Sequence, residues 1–263
     1  MTTLFGDLAG DLTGEPGRRP PLVLLHGLTF DRTSWHPVLA ELATLDPGRQ
    51  VLALDLPGHG ESPAWPSYNM ESLAEGVHRA VEETGLRPPA LAGHSVAGVI
   101  ATIYAGRHPA AGVVNVDQPL QVAPFARLVQ SLAGPLRGPG FAQVWAQFEA
   151  SMGIGRLPQA AQDLLQSARY VRQDLVTGYW RDAIDRPVEE LARLVSDGLA
   201  AVRDAKVPYV YVAGHDAGQD YLGWLNRELP QAEVTVWPGS GHFPHLARPG
   251  RFAELLAATA RWA

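Results

Sequence analysis

The 263-residue chain contains no cysteine, which excludes thiol nucleophiles, disulfides and cysteine-built zinc sites together and leaves its redox compartment open. Lysine is almost as scarce. Lys206 is the only one and precedes a predicted strand, so Schiff-base chemistry would rest on that residue alone and is discounted. Arginine does not form a basic run in its place, and the formal charge is -6. Nucleic acid is therefore not an expected partner. No apolar stretch approaches the roughly 20 residues of a membrane span. The opening MTTLFGDLAGDLTG has neither the basic start nor the apolar core of a signal peptide. The expectation is a cytoplasmic protein, monomeric or homodimeric, that meets a small-molecule substrate away from any membrane.

What is present is a large apolar content, 46% against 18% charged residues, enough for one sizeable core. Short apolar runs bounded by Gly, Pro or Asp predict strands over 22–25, 51–54, 90–92, 113–116, 209–212 and 234–237. Runs apolar throughout indicate strands covered on both faces, as in a parallel sheet. Helical patterns occupy 35–45, 70–84, 96–107, 221–229 and 251–262. This alternation predicts an α/β fold, a mostly parallel sheet flanked by helices. From Gln118 to about Lys206 the pattern is helical only, cut by Gly and Pro, and its last helix (188–202) returns to the sheet. The expected organisation is a core of residues 1–117 and 186–263 with a helical insertion over 118–185. Pro and Gly crowd 14–21, a loop leading into the first buried strand.

The stretch LAGHSVAGVI places Ser95 between a predicted strand and a predicted helix, with Gly93 and Ala97 two residues to either side. A nucleophile on a sharp strand-to-helix turn needs small neighbours, because larger side chains collide with the turned backbone. The helix start also directs N–H groups and a positive dipole end toward a developing anion. A serine that merely caps the helix would satisfy the same letters. A phosphate-binding loop would not, since no Gly-Lys-Ser/Thr follows. Upstream, LVLLHGL ends a strand at His26-Gly27, and the loop beyond it can set the Leu28 N–H beside that of Val96 as an oxyanion hole. One such donor is typically worth a few kcal/mol of transition-state stabilisation. Downstream, WPGSGHFPHLARP puts His242 in a Gly-rich loop after the last strand.

Leu25-His26-Gly27, then Asp55-Leu56-Pro57-Gly58-His59-Gly60-Glu61-Ser62, then Gly93-His94-Ser95, then Gly241-His242 resemble in order the α/β-hydrolase superfamily. The resemblance covers nearly the whole chain apart from the insertion. It departs at one letter, since G-H-S-V-A stands where G-x-S-x-G is usual. The resemblance implies that Ser95 is the nucleophile, His242 the base and the insertion a cap over a pocket. Such enzymes place the triad acid after one of two strands, and this chain has a candidate at each. Asp117 ends GVVNVD; Asp216 lies in GHDAGQDY, one residue short of the usual Gly-x-x-Asp, with Asp220 as a further option. Asp117 is slightly preferred, because a carboxylate among apolar neighbours needs a partner and His242 would be one. At least one of these aspartates must be an ordinary cap or turn residue.

Other histidines read as structural: His26 under the oxyanion loop, His59 in a Pro-Gly turn, and His94 packing away from the nucleophile. His245 opens the last helix and is a further pocket candidate. Histidines and carboxylates are scattered without H-E-x-x-H spacing, so neither a metal nor a cofactor is expected. Phe125, Phe141, Trp145, Phe148, Tyr170, Tyr179 and Trp180 fall in the insertion. At helical spacing such aromatics usually face the domain below. Trp145, Phe148 and Tyr179, together with Trp35, are also candidate pocket walls for an apolar acyl or aromatic substrate. The chemistry expected is hydrolysis of an ester or lactone through an acyl-enzyme. The rivals are carbon–carbon hydrolysis, perhydrolysis or cofactor-free lyase chemistry on the same scaffold, and a sensor without turnover.

Overall fold

In the computed structural model, which describes residues 3–262, the apolar runs become the inner strands of one sheet. The strands are β1 (Leu4–Phe5), β2 (Leu8–Thr13), β3 (Leu22–Leu25), β4 (Val51–Leu54), β5 (Ala90–His94), β6 (Gly112–Val116), β7 (Tyr209–Ala213) and β8 (Ala232–Val236). Their spatial order is β1-β2-β4-β3-β5-β6-β7-β8. β2 runs antiparallel to both β1 and β4, and every other pairing is parallel. The helices that pack on the sheet are α1 (His36–Leu45), α2 (Met70–Thr84) and α3 (Val96–Arg107) from the first half of the chain. A second group lies between β6 and β7: α4 (Ala123–Ser131), α5 (Ala133–Arg137), α6 (Phe141–Ser151), α7 (Gln159–Ala168), α8 (Gln173–Tyr179), α9 (Arg181–Asp185) and α10 (Val188–Asp204). α11 (Gln219–Glu228), α12 (Pro244–Ala247) and α13 (Pro249–Ala258) complete the chain.

Side chains alternate across the pleat, so each inner strand feeds two cores. Leu22 and Leu24 pack with Trp35, Val38 and Phe252 beneath α1 and α13. Val23 and Leu25 pack with Val77, Ile100 and Leu199 beneath α2, α3 and α10. Each fully buried Leu, Val or Phe of this kind contributes roughly 1.5–3 kcal/mol relative to exposure. Helix ends follow local chemistry. The Asn69 side chain accepts from the Ser72 N–H at 2.8 Å to start α2, and Gly85, at φ 64°, ends it.

Two features depart from the sequence reading. β1 and β2 have no counterpart among the predicted strands, because Asp7, Asp11 and a turn at Gly6 (φ 58°) interrupt any apolar run. The last strand is predicted to be covered on both faces, yet β8 is an edge strand with Val234 41% exposed.

The carboxyl ends of the parallel strands share one edge of the sheet, where α/β folds place their ligands. Across that edge the α4–α9 segment is fastened by hydrogen bonds to three core loops. Tyr170 N–H donates to Thr29 O (2.8 Å), the Tyr179 hydroxyl to Pro57 O (2.9 Å), and His242 N–H to Met152 O (2.9 Å). α10 instead packs on α3, as part of the sheet-covering layer. No helix among the described residues is long and apolar enough to cross a membrane.

Candidate active site

Ser95 sits immediately after β5 with φ 54° and ψ −131°, a conformation that costs a non-glycine residue on the order of 1–3 kcal/mol. The turn is held because Ser95 N–H donates to Val116 O (2.9 Å), and because Gly93 has no Cβ to run into the Ala97 carbonyl. Asp117, one residue past the neighbouring strand β6, also has a positive φ, 56°, as does Thr29 at 70°. Three of the four non-glycine residues with positive φ among the described residues thus lie at this edge, and only Lys206 lies elsewhere. Strain of this kind clusters where a fold over-determines a functional geometry.

Asp117 is 1% exposed, and both of its oxygens are engaged. Oδ1 accepts from Gly214 N–H at 2.7 Å and lies 3.5 Å from Nδ1 of the exposed His215. Oδ2 is 2.8 Å from His242 Nδ1. With a carboxylate accepting there, Nδ1 carries the imidazole proton and Nε2 is left bare, the tautomer a general base requires. Asp216 lies apart: it is exposed, and its Oδ1 accepts from Gly218 N–H at 3.0 Å, closing a surface turn. Asp220 is exposed in the first turn of α11, so of the three aspartates considered from sequence only Asp117 has a hydrogen bond to the histidine among the described residues.

The His26–Thr29 loop reaches the serine from the other side. A Cβ built on Gly27 would stand 3.3 Å from Ser95 Cβ and 2.6 Å from His94 Nδ1. Two histidines hold this loop from beneath. His26 donates from Nδ1 to Gly27 O (2.8 Å) and accepts the Leu56 N–H at Nε2 (2.9 Å). His59 Nε2 accepts the Thr29 N–H at 3.0 Å, while its Nδ1 donates to Pro57 O. Burial holds both rings neutral, with pKa values below the ordinary histidine value. No hydrogen bond among the described residues engages the N–H of Leu28 or of Val96, and the Ser95 hydroxyl likewise has no partner there. Two backbone donors and one hydroxyl at this edge of the sheet are therefore without a hydrogen-bond partner among the described residues.

A model of the alpha/beta hydrolase family matches residues 22–255. The chain belongs to that family. It is 30% identical over 253 residues to a 2-succinyl-6-hydroxy-2,4-cyclohexadiene-1-carboxylate synthase of Yersinia pseudotuberculosis, covering 91% of this chain and 86% of that one. Identity is also 30% over 266 residues to the dihydrolipoyllysine-residue acetyltransferase component of an acetoin cleaving system of Pseudomonas putida; that alignment takes in 95% of this chain but spans only 65% of the relative. Among solved structures, a thermophilic esterase from Thermogutta terrifontis shares the fold at a TM-score of 0.62 and 22% identity, over 97% of this chain and 93% of that one.

Within this alpha/beta hydrolase the remaining candidates fall into two sets. Trp35 and His245 are corrections: both are 0% exposed and pack on each other, ring centroids 4.6 Å apart, with Phe252 beyond them in the core under α1 and α13. Both are enclosed in the core, and neither lines the cleft found among the described residues. Tyr179 is also buried, stacked on Tyr68 (4.8 Å) and set edge-on to His59 (5.1 Å), where it ties α8 to the Pro57 carbonyl. Trp145 and Phe148 gather with Phe125 around Trp180. An open cleft of about 550 Å³ lies between α6, α7 and Phe30, walled by Phe30, Ile154, Leu165, Glu149, Arg156 and Arg169, and its lining includes none of Ser95, Asp117 or His242. No group of three metal-ligating side chains stands together among the described residues.

The sequence reading missed two contacts of His242. Its N–H is held by Met152 O, and its carbonyl lies 2.7 Å from His94 Nε2. Only the identity of the neighbour of Ser95 as a histidine signalled the second.

Proposed function

We propose that the protein hydrolyses an ester or lactone of a small apolar or aromatic acyl group through a serine acyl-enzyme. One observation carries this reading: the 2.8 Å hydrogen bond between Asp117 Oδ2 and His242 Nδ1, at the sheet edge that also bears Ser95. Ser95 Oγ attacks the carbonyl carbon while His242 Nε2 takes its proton. Charge that develops on the carbonyl oxygen is received by the free N–H groups of Leu28 and Val96. His242 then returns the proton to the departing alkoxide oxygen as the carbon–oxygen bond breaks. Water, deprotonated by the same nitrogen, attacks the acyl carbon; the bond to Ser95 Oγ breaks, His242 returns the proton to that oxygen, and the acid leaves. Hydrogen bonds of this kind are often long or absent before substrate arrives, so the unpartnered Ser95 hydroxyl suits a resting enzyme. The α4–α9 segment, bonded to the loops of Thr29, Pro57 and His242, serves as the cap.

The likeness to a 2-succinyl-6-hydroxy-2,4-cyclohexadiene-1-carboxylate synthase supports a second reading, a cofactor-free lyase using the same serine and histidine. Fluorophosphonate labelling, followed by a panel of p-nitrophenyl esters, lactones and diketones, separates the possibilities. Labelling that disappears in Ser95→Ala, with ester or lactone turnover, is the expected result. Labelling without turnover of any ester or lactone favours the lyase. Absence of labelling across about pH 6 to 9 removes the activated serine and leaves a sensor.

A further inference from the structure

His242 lies on the loop that follows edge strand β8, so the sheet alone does little to fix it. Three hydrogen bonds do. The side chain is held by Asp117, the main-chain N–H by Met152 O of the α4–α9 segment, and the main-chain carbonyl by the ring of His94. The last bond spans 148 residues of sequence and joins the loop of the histidine to the residue adjacent to Ser95. Since a carbonyl only accepts, His94 Nε2 must carry the ring proton. The His94 ring is 2% exposed and cannot readily swing away: His245 lies 4.6 Å from it, Phe243 5.0 Å and His242 4.8 Å, centroid to centroid. Gly27 closes the remaining side, against His94 Nδ1. Burial, with His245 and His242 beside it, keeps the imidazole neutral, its pKa well below the ordinary value.

We infer that His94 is a positioning residue, whose Nε2–H fixes the main chain of His242 and so sets where the imidazole meets the Ser95 hydroxyl. This rests on the serine–histidine reading above. A residue that only filled space would be replaceable by an apolar side chain of similar size. One that places the base would not, because a displacement of about 1 Å at a reacting group can cost on the order of 10² in rate.

Three variants test it. His94→Leu keeps the bulk and loses the donor, His94→Gln can place an amide N–H near the position of Nε2, and His94→Asn carries the same amide too short to reach. The expected result is that Leu and Asn lower kcat for the best p-nitrophenyl ester on the order of 10²-fold, with KM little changed, while Gln recovers most of it. A second readout does not need turnover. The low-field proton resonance of His242 Nδ1–H, assigned by its loss in His242→Gln, should broaden or shift in Leu and Asn and persist in Gln. The inference is overturned if Leu keeps kcat within about twofold of wild type, if Gln is as impaired as Asn, or if the resonance is the same in all three. Should Leu fail to fold, the Gln–Asn pair decides. Should the parent protein neither turn over an ester nor label at Ser95, the proposed function fails, and the resonance alone still reports whether His94 holds the histidine.

Discussion

At Asp117 the backbone is strained, the carboxylate is almost fully enclosed, and three groups address its two oxygens. A carboxylate in that position orients an imidazole and stabilises its protonated form, so its loss should be severe. Asp117→Asn is expected to lower kcat on the order of 10⁴, the penalty for presenting the wrong tautomer. Asp216→Asn, which alters only a surface turn, should leave kcat within about twofold, and comparison of the two by steady-state kinetics checks the assignment. Gly27 offers a second test. Its missing Cβ is what lets the His26–Thr29 loop approach Ser95 and His94. Gly27→Ala must push that loop outward, and with it the Leu28 N–H. A fall in kcat of roughly 10²–10³ is expected, the value of a lost oxyanion donor, together with a loss of stability of about 1–3 kcal/mol from the overpacked loop. Both features show what sequence could and could not deliver here. Ser95 and His242 could be singled out because their motifs combine a chemical group with the glycines its turn requires, and the structure sets both at the carboxyl edge of the sheet. The choice between Asp117 and Asp216 was not readable, since each simply follows a strand, and only the packing of β6 beside β7 says which one faces His242. Trp35 was misplaced for a similar reason: the spacing gives a side chain, but not the face of the sheet on which its helix lands.

Elements outside the sheet are fastened to it at few points, and those points can be tested singly. The buried Tyr179 hydroxyl donates to Pro57 O, and its ring fills the space between Tyr68 and His59. Tyr179→Phe preserves the ring and removes the donor, leaving Pro57 O with only the longer bond from His59 Nδ1. The expected cost is about 0.5–1.5 kcal/mol, measured by urea denaturation, with faster amide exchange over α8 than over α3 as the local signature. If exchange rises equally in both helices, the bond does not act as a local tether. The inner strands were legible because burial on both faces forces continuous apolar runs, and 22–25 and 51–54 match β3 and β4 to the residue. β1 and β2 were illegible for the converse reason. β1 is the other edge strand, with Leu4 exposed, and β2 beside it is buried only over Leu8–Gly10 before Asp11 reaches out to Arg32, too short a run to mark a strand. Helices α2 and α3 were legible at both ends, whereas α4, α5 and α9 are too short to establish a period.

Taken over the whole molecule, the histidines set how stability depends on acidity. His26, His59, His94 and His245 are buried, and burial is the leading cause that lowers the pKa of each; for His245 it falls to about 3. In the unfolded chain each returns to about 6.5. Above that value the rings are neutral in both states and contribute no pH dependence. As the pH falls below it, the unfolded chain takes up protons that the folded protein refuses, so the folded state loses stability progressively until its own pKa values are reached. Each such group contributes up to roughly 1.4 kcal/mol per pH unit in that window. Unfolding free energies measured in urea should therefore be level near pH 7 to 8 and fall as the pH drops below about 6, His245 contributing about one proton taken up on unfolding and the other three rings adding to it. His245 isolates one share of that slope. Neither of its ring nitrogens has a hydrogen-bond partner among the described residues, and it lies in the core between Trp35 and His94. His245→Met should reduce the slope by about one proton and make the variant more stable than the parent at pH 5. An unchanged slope would mean that His245 is not held neutral by the fold, and would move the acid sensitivity to the other three rings.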